Sequence, residues 1–148
     1  MSINIRLATE MDQEMLRQLL KNSDLNYKGA TEDNNYFLVA EDWAGESKKI
    51  IAIAGIEKRG NYGFLRSLVL ESNLWTGKSG LEFVTNVIKY AKELNFEELY
   101  LLTLPNSKFI FELLKFKTIS LNEVPDEIKS SEHFQTSYQE KVVIMKNY

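Results

Sequence analysis

Apolar and polar residues alternate along Ile3-Asn-Ile-Arg-Leu7, the period of a strand with one buried face. The period then lengthens. Met11, Met15, Leu16, Leu19 and Leu20 share one helical face behind Thr9, which offers an N-cap with Asp12 three residues on. Residues 22–35, rich in Asn, Asp, Lys and Gly, read as a loop with at most a short helical turn. Tyr36-Phe-Leu-Val-Ala40 and Ile50-Ile-Ala-Ile-Ala-Gly-Ile56 are strands, and Lys58-Arg-Gly-Asn61 is a tight turn into another over residues 62–70. A long helix is expected over residues 81–92, where Leu81, Val84, Ile88 and Ala91 recur at helical spacing and Phe83, Val87 and Leu94 widen the stripe. Residues 98–104 form a short strand buried on both faces. Residues 107–115 suit a second helix, with Phe109, Ile110, Leu113 and Leu114 apolar, and Val142-Val-Ile-Met145 closes the chain as a strand. No repeat, low-complexity tract or linker interrupts this alternation, so residues 1–148 are expected to fold as a single α/β domain.

Composition narrows the chemistry. A net charge of −3 argues against a nucleic-acid partner, which would call for a basic face. No apolar run approaches the roughly 20 residues of a membrane span, and the first residues lack a secretory leader pattern, so a cytoplasmic chain is the simplest expectation. The absence of cysteine removes disulfides, thiolate metal sites and a cysteine nucleophile. The single histidine, His133, sits in a polar stretch and reads as exposed; a metal site is not expected.

The segment Glu71-Ser-Asn-Leu-Trp-Thr-Gly-Lys-Ser-Gly80 joins a strand to a helix and contains Gly-Lys-Ser. A nucleotide-binding P-loop needs a glycine five positions before Gly77, where Ser72 stands, and a later strand supplying an aspartate for magnesium. The next strand ends Leu-Leu-Thr-Leu-Pro without one, so the P-loop match is accidental. What remains is a helix start fronted by small residues, whose amides and dipole suit an anion, with Lys78 as an added cation. The competing reading is a plain helix start after a turn, with Lys78 an ordinary solvated lysine.

Leu68-Val-Leu70 followed by Trp75-Thr-Gly-Lys-Ser-Gly-Leu81 resembles the acetyl-CoA loop of the GNAT family of N-acetyltransferases: an apolar fourth strand, then Arg/Gln-x-x-Gly-x-Gly/Ala opening a helix. Thr76 takes the Arg/Gln position, Ser79 the middle glycine and Leu81 the last; the accessory glycine is kept as Gly77. The order of elements agrees over roughly residues 3–146. Glu98-Leu-Tyr-Leu-Leu-Thr103, Ile110-Phe-Glu-Leu-Leu-Lys-Phe116 and Glu123-Val-Pro-Asp-Glu-Ile128 resemble two branches, the acetyltransferase domain of N-acetylglutamate synthases and the N-acetyltransferases linked to arsenic resistance. Leu65-Arg-Ser-Leu-Val-Leu70 resembles the arsenic-linked branch. Lys115 stands where relatives have the glycine of a Gly-Phe pair, Tyr138 where the arsenic-linked branch often has cysteine, and Phe111 where many relatives carry a tyrosine acid.

The resemblance implies a mixed central sheet of about six or seven strands, helices on both faces, and strands four and five splayed apart. It implies acetyl-CoA as co-substrate, no metal, and direct attack by the amine of a small molecule, such as an amino acid or related compound. Leu68, Val69 and Leu70 would bond the pantetheine amides, the N–H of Leu68 polarising the acetyl oxygen. Thr76, Gly77, Lys78, Ser79, Gly80 and Leu81 would hold the pyrophosphate, and Asn106 and Phe111, at the start of the later helix, would touch coenzyme A. Glu57 is the candidate base, directly or through water. Hairpin register places it near Arg66 on the face of Phe64 and Leu68, so a cross-strand Glu57–Arg66 ion pair is the competing reading. Arg66 is a candidate clamp for a substrate carboxylate, and Thr103 a candidate substrate hydrogen bond. The acceptor pocket would come from residues 20–35 and 120–140. Dimers are common among relatives, so a homodimer is the assembly the resemblance admits. The alternative function is a non-catalytic acyl-CoA sensor or interaction module of the same fold, which the departures at Thr76, Ser79, Leu81 and Phe111 favour slightly more than in a typical relative.

Overall fold

A computed structural model describes residues 3–22, 35–42, 49–70 and 78–147 of the chain. Three consecutive strands, β2 (Asn35–Asp42), β3 (Lys49–Arg59) and β4 (Tyr62–Leu70), pair antiparallel and carry the longest ladders of the molecule. Their residues are apolar and β-branched because both faces are covered, which also explains why Ile51 to Glu57 of β3 are buried without alternation. The β3–β4 hairpin turns at Gly60, whose φ of 60° lies in the left-handed region that glycine enters without penalty. In front stands β1 (Ile3–Leu7), paired to β2. After it a 3₁₀ turn (Glu10–Asp12) leads into helix α1 (Gln13–Asn22), and the Asp12 carboxylate accepts the Thr9 N–H at 2.7 Å.

Helix α2 (Lys78–Glu93) crosses from β4 to β5 (Glu98–Thr103), which makes β4–β5 the parallel pair of an otherwise antiparallel sheet. Then follow helix α3 (Lys108–Leu113), β6 (Lys117–Ile119), the short helices α4 (Asp126–Lys129) and α5 (Glu132–Ser137), and β7 (Val143–Asn147). The sheet has seven strands in the order β1-β2-β3-β4-β5-β7-β6. On one face α2 and α3 bury Phe83, Val84, Val87, Ile88 and Phe111 against Leu38, Ala54, Ile56, Leu65, Leu99 and Leu101. The other face is shared. Leu16 of α1 packs on Phe37, Val39 and Ile53, while Ile128 and Phe134 of α4 and α5 pack on Phe64, Tyr100 and Ile144.

The expected strands and the long helix are present, the helix extending to residue 78. Leu81, expected in its buried stripe, is 43% exposed instead, because the stripe that meets the sheet begins at Phe83. The sequence pattern gave no sign of β6, α4 or α5. At the end of α3 the Phe116 N–H bonds the Phe111 carbonyl at 3.0 Å and the Lys115 N–H bonds Glu112 at 3.1 Å, a Schellman closure with Lys115 at φ 74°. The resemblance leads one to expect glycine at this position, and the left-handed backbone supplies a physical reason for it. Lys115→Gly is therefore expected to stabilise the fold by about 1 kcal/mol, read as a higher urea midpoint at unchanged slope.

Candidate active site

The centre of the site is a place where two strands part. β4 and β5 are paired from Tyr62↔Glu98 to Leu65↔Leu101. Beyond Leu65, β4 continues against β3 as far as Leu70, and β5 continues against β7 as far as Thr103. The register of β3 against β4 changes over the same stretch. Gly55 faces Arg66 but Ile53 faces Val69, so Ser67 and Leu68 together oppose Ala54. This is a β-bulge with the extra residue on β4. A bulge leaves one backbone unit without a ladder partner, and here the neighbouring strand on the other side has already departed. Polar backbone is therefore offered into the gap.

The bulge also resets which face each side chain takes. Phe64 and Arg66 lie on the side of α1, α4 and α5, but Leu68 packs against the α2 cluster. The expectation that Leu68 shares a face with Phe64 is thus corrected: the inserted residue shifts the alternation by one. Val69 and Leu70 end β4 opposite Ile53 and Ala52. Helix α2 opens with Lys78, Ser79 and Gly80, of which Gly80 is buried, and the exposed Leu81 follows. Thr76 and Gly77 lie outside the described residues, as do residues 23–34 of the expected acceptor pocket.

Glu57 and Arg66 are brought together as hairpin register implied. One guanidinium nitrogen of Arg66 is 3.1 Å from Glu57 Oε2, and the residues are 3% and 5% exposed. Sequence reading missed the third member, Arg59, whose guanidinium lies 3.6 Å from Glu57 Oε1. Arg59 also donates from Nε to the Glu127 carbonyl at 2.9 Å and from Nη2 to Ser130 Oγ at 2.7 Å. The chain of contacts ties the hairpin to α4. Thr103 follows the alternation of β5 onto the α2–α3 face, since its neighbour across the ladder, Val143, packs with that cluster; it is not beside Arg66. Asn106 is exposed in the turn Pro105–Ser107, and Phe111 is 6% exposed, set edge-on against Phe116 at 5.9 Å.

His133 departs from expectation. It is half-buried on α5, with its ring 5.0 Å from that of Phe64 and Nδ1 3.2 Å from Ser137 Oγ. Burial, and then the charge of Arg66, push its pKa down to about 3. The sequence held no signal for this, because α4 and α5 are too short for periodicity and read as a polar loop. The consequence is a stability term. Below pH 6.5 the unfolded chain binds a proton at this imidazole that the folded chain refuses, so stability falls as pH drops from 6.5 toward 3. Between pH 6.5 and about pH 4.5, above most carboxylate titration, the fold is expected to lose about 2 kcal/mol. Urea midpoints taken across that interval should slope for the wild type and flatten for His133→Phe.

Among the described residues no helix is long and apolar enough to cross a membrane. No family model matches the chain. The chain is 33% identical over 148 residues to the uncharacterized protein YwlB of Bacillus subtilis, covering 99% of this chain and 97% of that protein. A GNAT-family acetyltransferase of Staphylococcus aureus superposes with a TM-score of 0.72 at 16% identity, covering 99% of this chain and 98% of that one. Rv2747 of Mycobacterium tuberculosis, in complex with CoA, gives 0.73 at 18% identity over 97% and 98% of the chains. The N-acetylglutamate synthase of Neisseria gonorrhoeae, complexed with coenzyme A and N-acetyl-glutamate, gives 0.74 at 16% identity over 99% of this chain and 35% of that chain.

Proposed function

We propose, for a chain that belongs to the family of Bacillus subtilis YwlB and has the fold of the GNAT acetyltransferases, an acetyl-CoA-dependent N-acetyltransferase acting on a small amine. The observation that carries the reading is the gap beyond Leu65 with a bulge at Ser67–Leu68 on its β4 side. The pantetheine arm lies in that gap against the backbone of Leu68, Val69 and Leu70. The pyrophosphate rests on the amides of residues 76–81, of which Lys78 to Leu81 open α2, and Asn106, in the turn before α3, and Phe111 of α3 border the coenzyme. The Leu68 N–H faces the acetyl oxygen, a donor worth about 3 kcal/mol in the transition state. The amine nitrogen attacks the thioester carbon, the C–S bond breaks, and the sulfur leaves as thiolate while the amine releases its proton to solvent. Holding amine and thioester in contact supplies much of the remaining acceleration.

Glu57, with its carboxylate engaged by Arg66 and Arg59, takes part through water rather than by touching the amine. Arg66 acts on the acceptor as a buried positive charge. Amino acids are the first acceptors to test, given the N-acetyl-glutamate in the Neisseria gonorrhoeae enzyme's complex. Thiol release from acetyl-CoA, measured against the standard amino acids and a set of simple amines, should show amine-dependent turnover. Coenzyme A binding without such turnover would select the acyl-CoA sensor instead, and no binding would end both readings.

A further inference from the structure

We infer that His133 is the acceptor-contacting side chain of the site, its Nε2 accepting a hydrogen bond from the N–H of the attacking amine. The assignment rests on the acetyltransferase reading above and names the group that orients its acceptor. Four observations converge. The imidazole leans on Phe64, the neighbour of Leu65, at which the β4–β5 pairing ends. Nδ1 lies 3.2 Å from Ser137 Oγ, and with the ring proton on Nδ1 donated to that oxygen the lone pair of the ring is on Nε2. His133 is half-buried, whereas Glu57 is 5% exposed with Arg66 and Arg59 on its two oxygens. Finally, the imidazole is neutral near pH 7, and a neutral ring has a nitrogen lone pair that can accept from an amine N–H, which an imidazolium lacks.

Burial, and after it the charge of Arg66, keeps His133 neutral, and that charge also shapes what binds there. Arg66, on the same face of β4, disfavours a second cation, so the acceptor class is an amine that also carries an anionic group, rather than a polyamine. A neutral amine is both the form that can donate to Nε2 without charge repulsion and the form that can attack.

The test uses the full chain, acetyl-CoA, the twenty standard amino acids assayed singly, and the polyamine spermidine. His133→Phe keeps the ring against Phe64 but removes both nitrogens, and should raise KM for the preferred amino acid by about tenfold or more while KM for acetyl-CoA stays within about twofold. His133→Asn, which restores a side-chain acceptor, should recover part of the loss. If His133→Phe does not fold, Ser137→Ala serves: loosening the ring should raise the amine KM about threefold, again with acetyl-CoA unaffected. An active wild type whose amine KM is unmoved by the folded His133 variant, or by Ser137→Ala in its place, overturns the assignment, as does a preference for spermidine over every amino acid. A wild type without amine-dependent thiol release overturns the acetyltransferase reading itself, and this assignment with it.

Discussion

Arg66→Ala is expected to cost the fold about 3 kcal/mol or more, one of the larger losses available from a single substitution. The reason is what stays behind. Glu57 would remain in a strand interior at 5% exposure, with Arg59 at 3.6 Å as its remaining guanidinium contact in place of the 3.1 Å bond from Arg66. Removing one partner of a buried pair leaves a charge without water and without its nearest counter-ion, whereas removing both does not. The double variant Glu57→Leu, Arg66→Leu should therefore recover most of the loss, and urea midpoints of wild type, Glu57→Leu, Arg66→Leu and the double variant close the cycle. Additive single losses would show that the pair is not a coupled unit. The same Arg66→Ala protein tests the clamp: if it acetylates its amino-acid acceptor as well as wild type does, Arg66 does not hold a substrate carboxylate.

The second large effect concerns rate rather than stability. Leu68→Pro deletes one N–H, the one assigned to the acetyl oxygen, at a bulge where the strand is locally unpaired and proline is best tolerated. The expected loss in kcat is about 10²- to 10³-fold, the range seen when a single oxyanion donor is removed. Leu68→Ala is the control. It trims a half-buried side chain from the α2 cluster but keeps the amide, so its turnover should stay within about tenfold of wild type. Stopped single turnovers with saturating acetyl-CoA separate the two variants from a simple binding defect. Equal turnover in both would remove the Leu68 amide from the mechanism.

How legible was this site in the chain itself? β1 to β5, β7 and α2 were readable because each spans enough residues for a period to repeat, and the Glu57–Arg66 contact followed from counting across a two-residue turn at Gly60 and Asn61. The bulge was not readable. Ser67 and Leu68 carry no local mark of an extra residue; what sets it is the register of β4 against β3 on one side and the departure of β5 on the other, both long-range facts. Leu68 was accordingly placed on the wrong face by simple alternation. His133 was lost for a different reason. Helices of four and six residues cannot display a helical period, so the polar run around it looked like solvated loop, and only the packing of Phe134 and Ile128 on Phe64 and Tyr100 draws it inward. Lys115 was noticed as a missing glycine, and its φ of 74° supplies the physical meaning of that departure.

The parallel junction between Leu65 and Leu101 has a mechanical corollary. Four facing pairs, Tyr62–Glu98 through Leu65–Leu101, stitch a four-stranded leaf to a three-stranded one, and the leaves open like the covers of a book beyond that spine. A long thin molecule wedged between the covers and bonded to both would act as a second binding thread. Saturating coenzyme A should then raise the melting temperature in proportion to the logarithm of its concentration, and the slowest-exchanging amides gained should be those of the two inner strands past the spine.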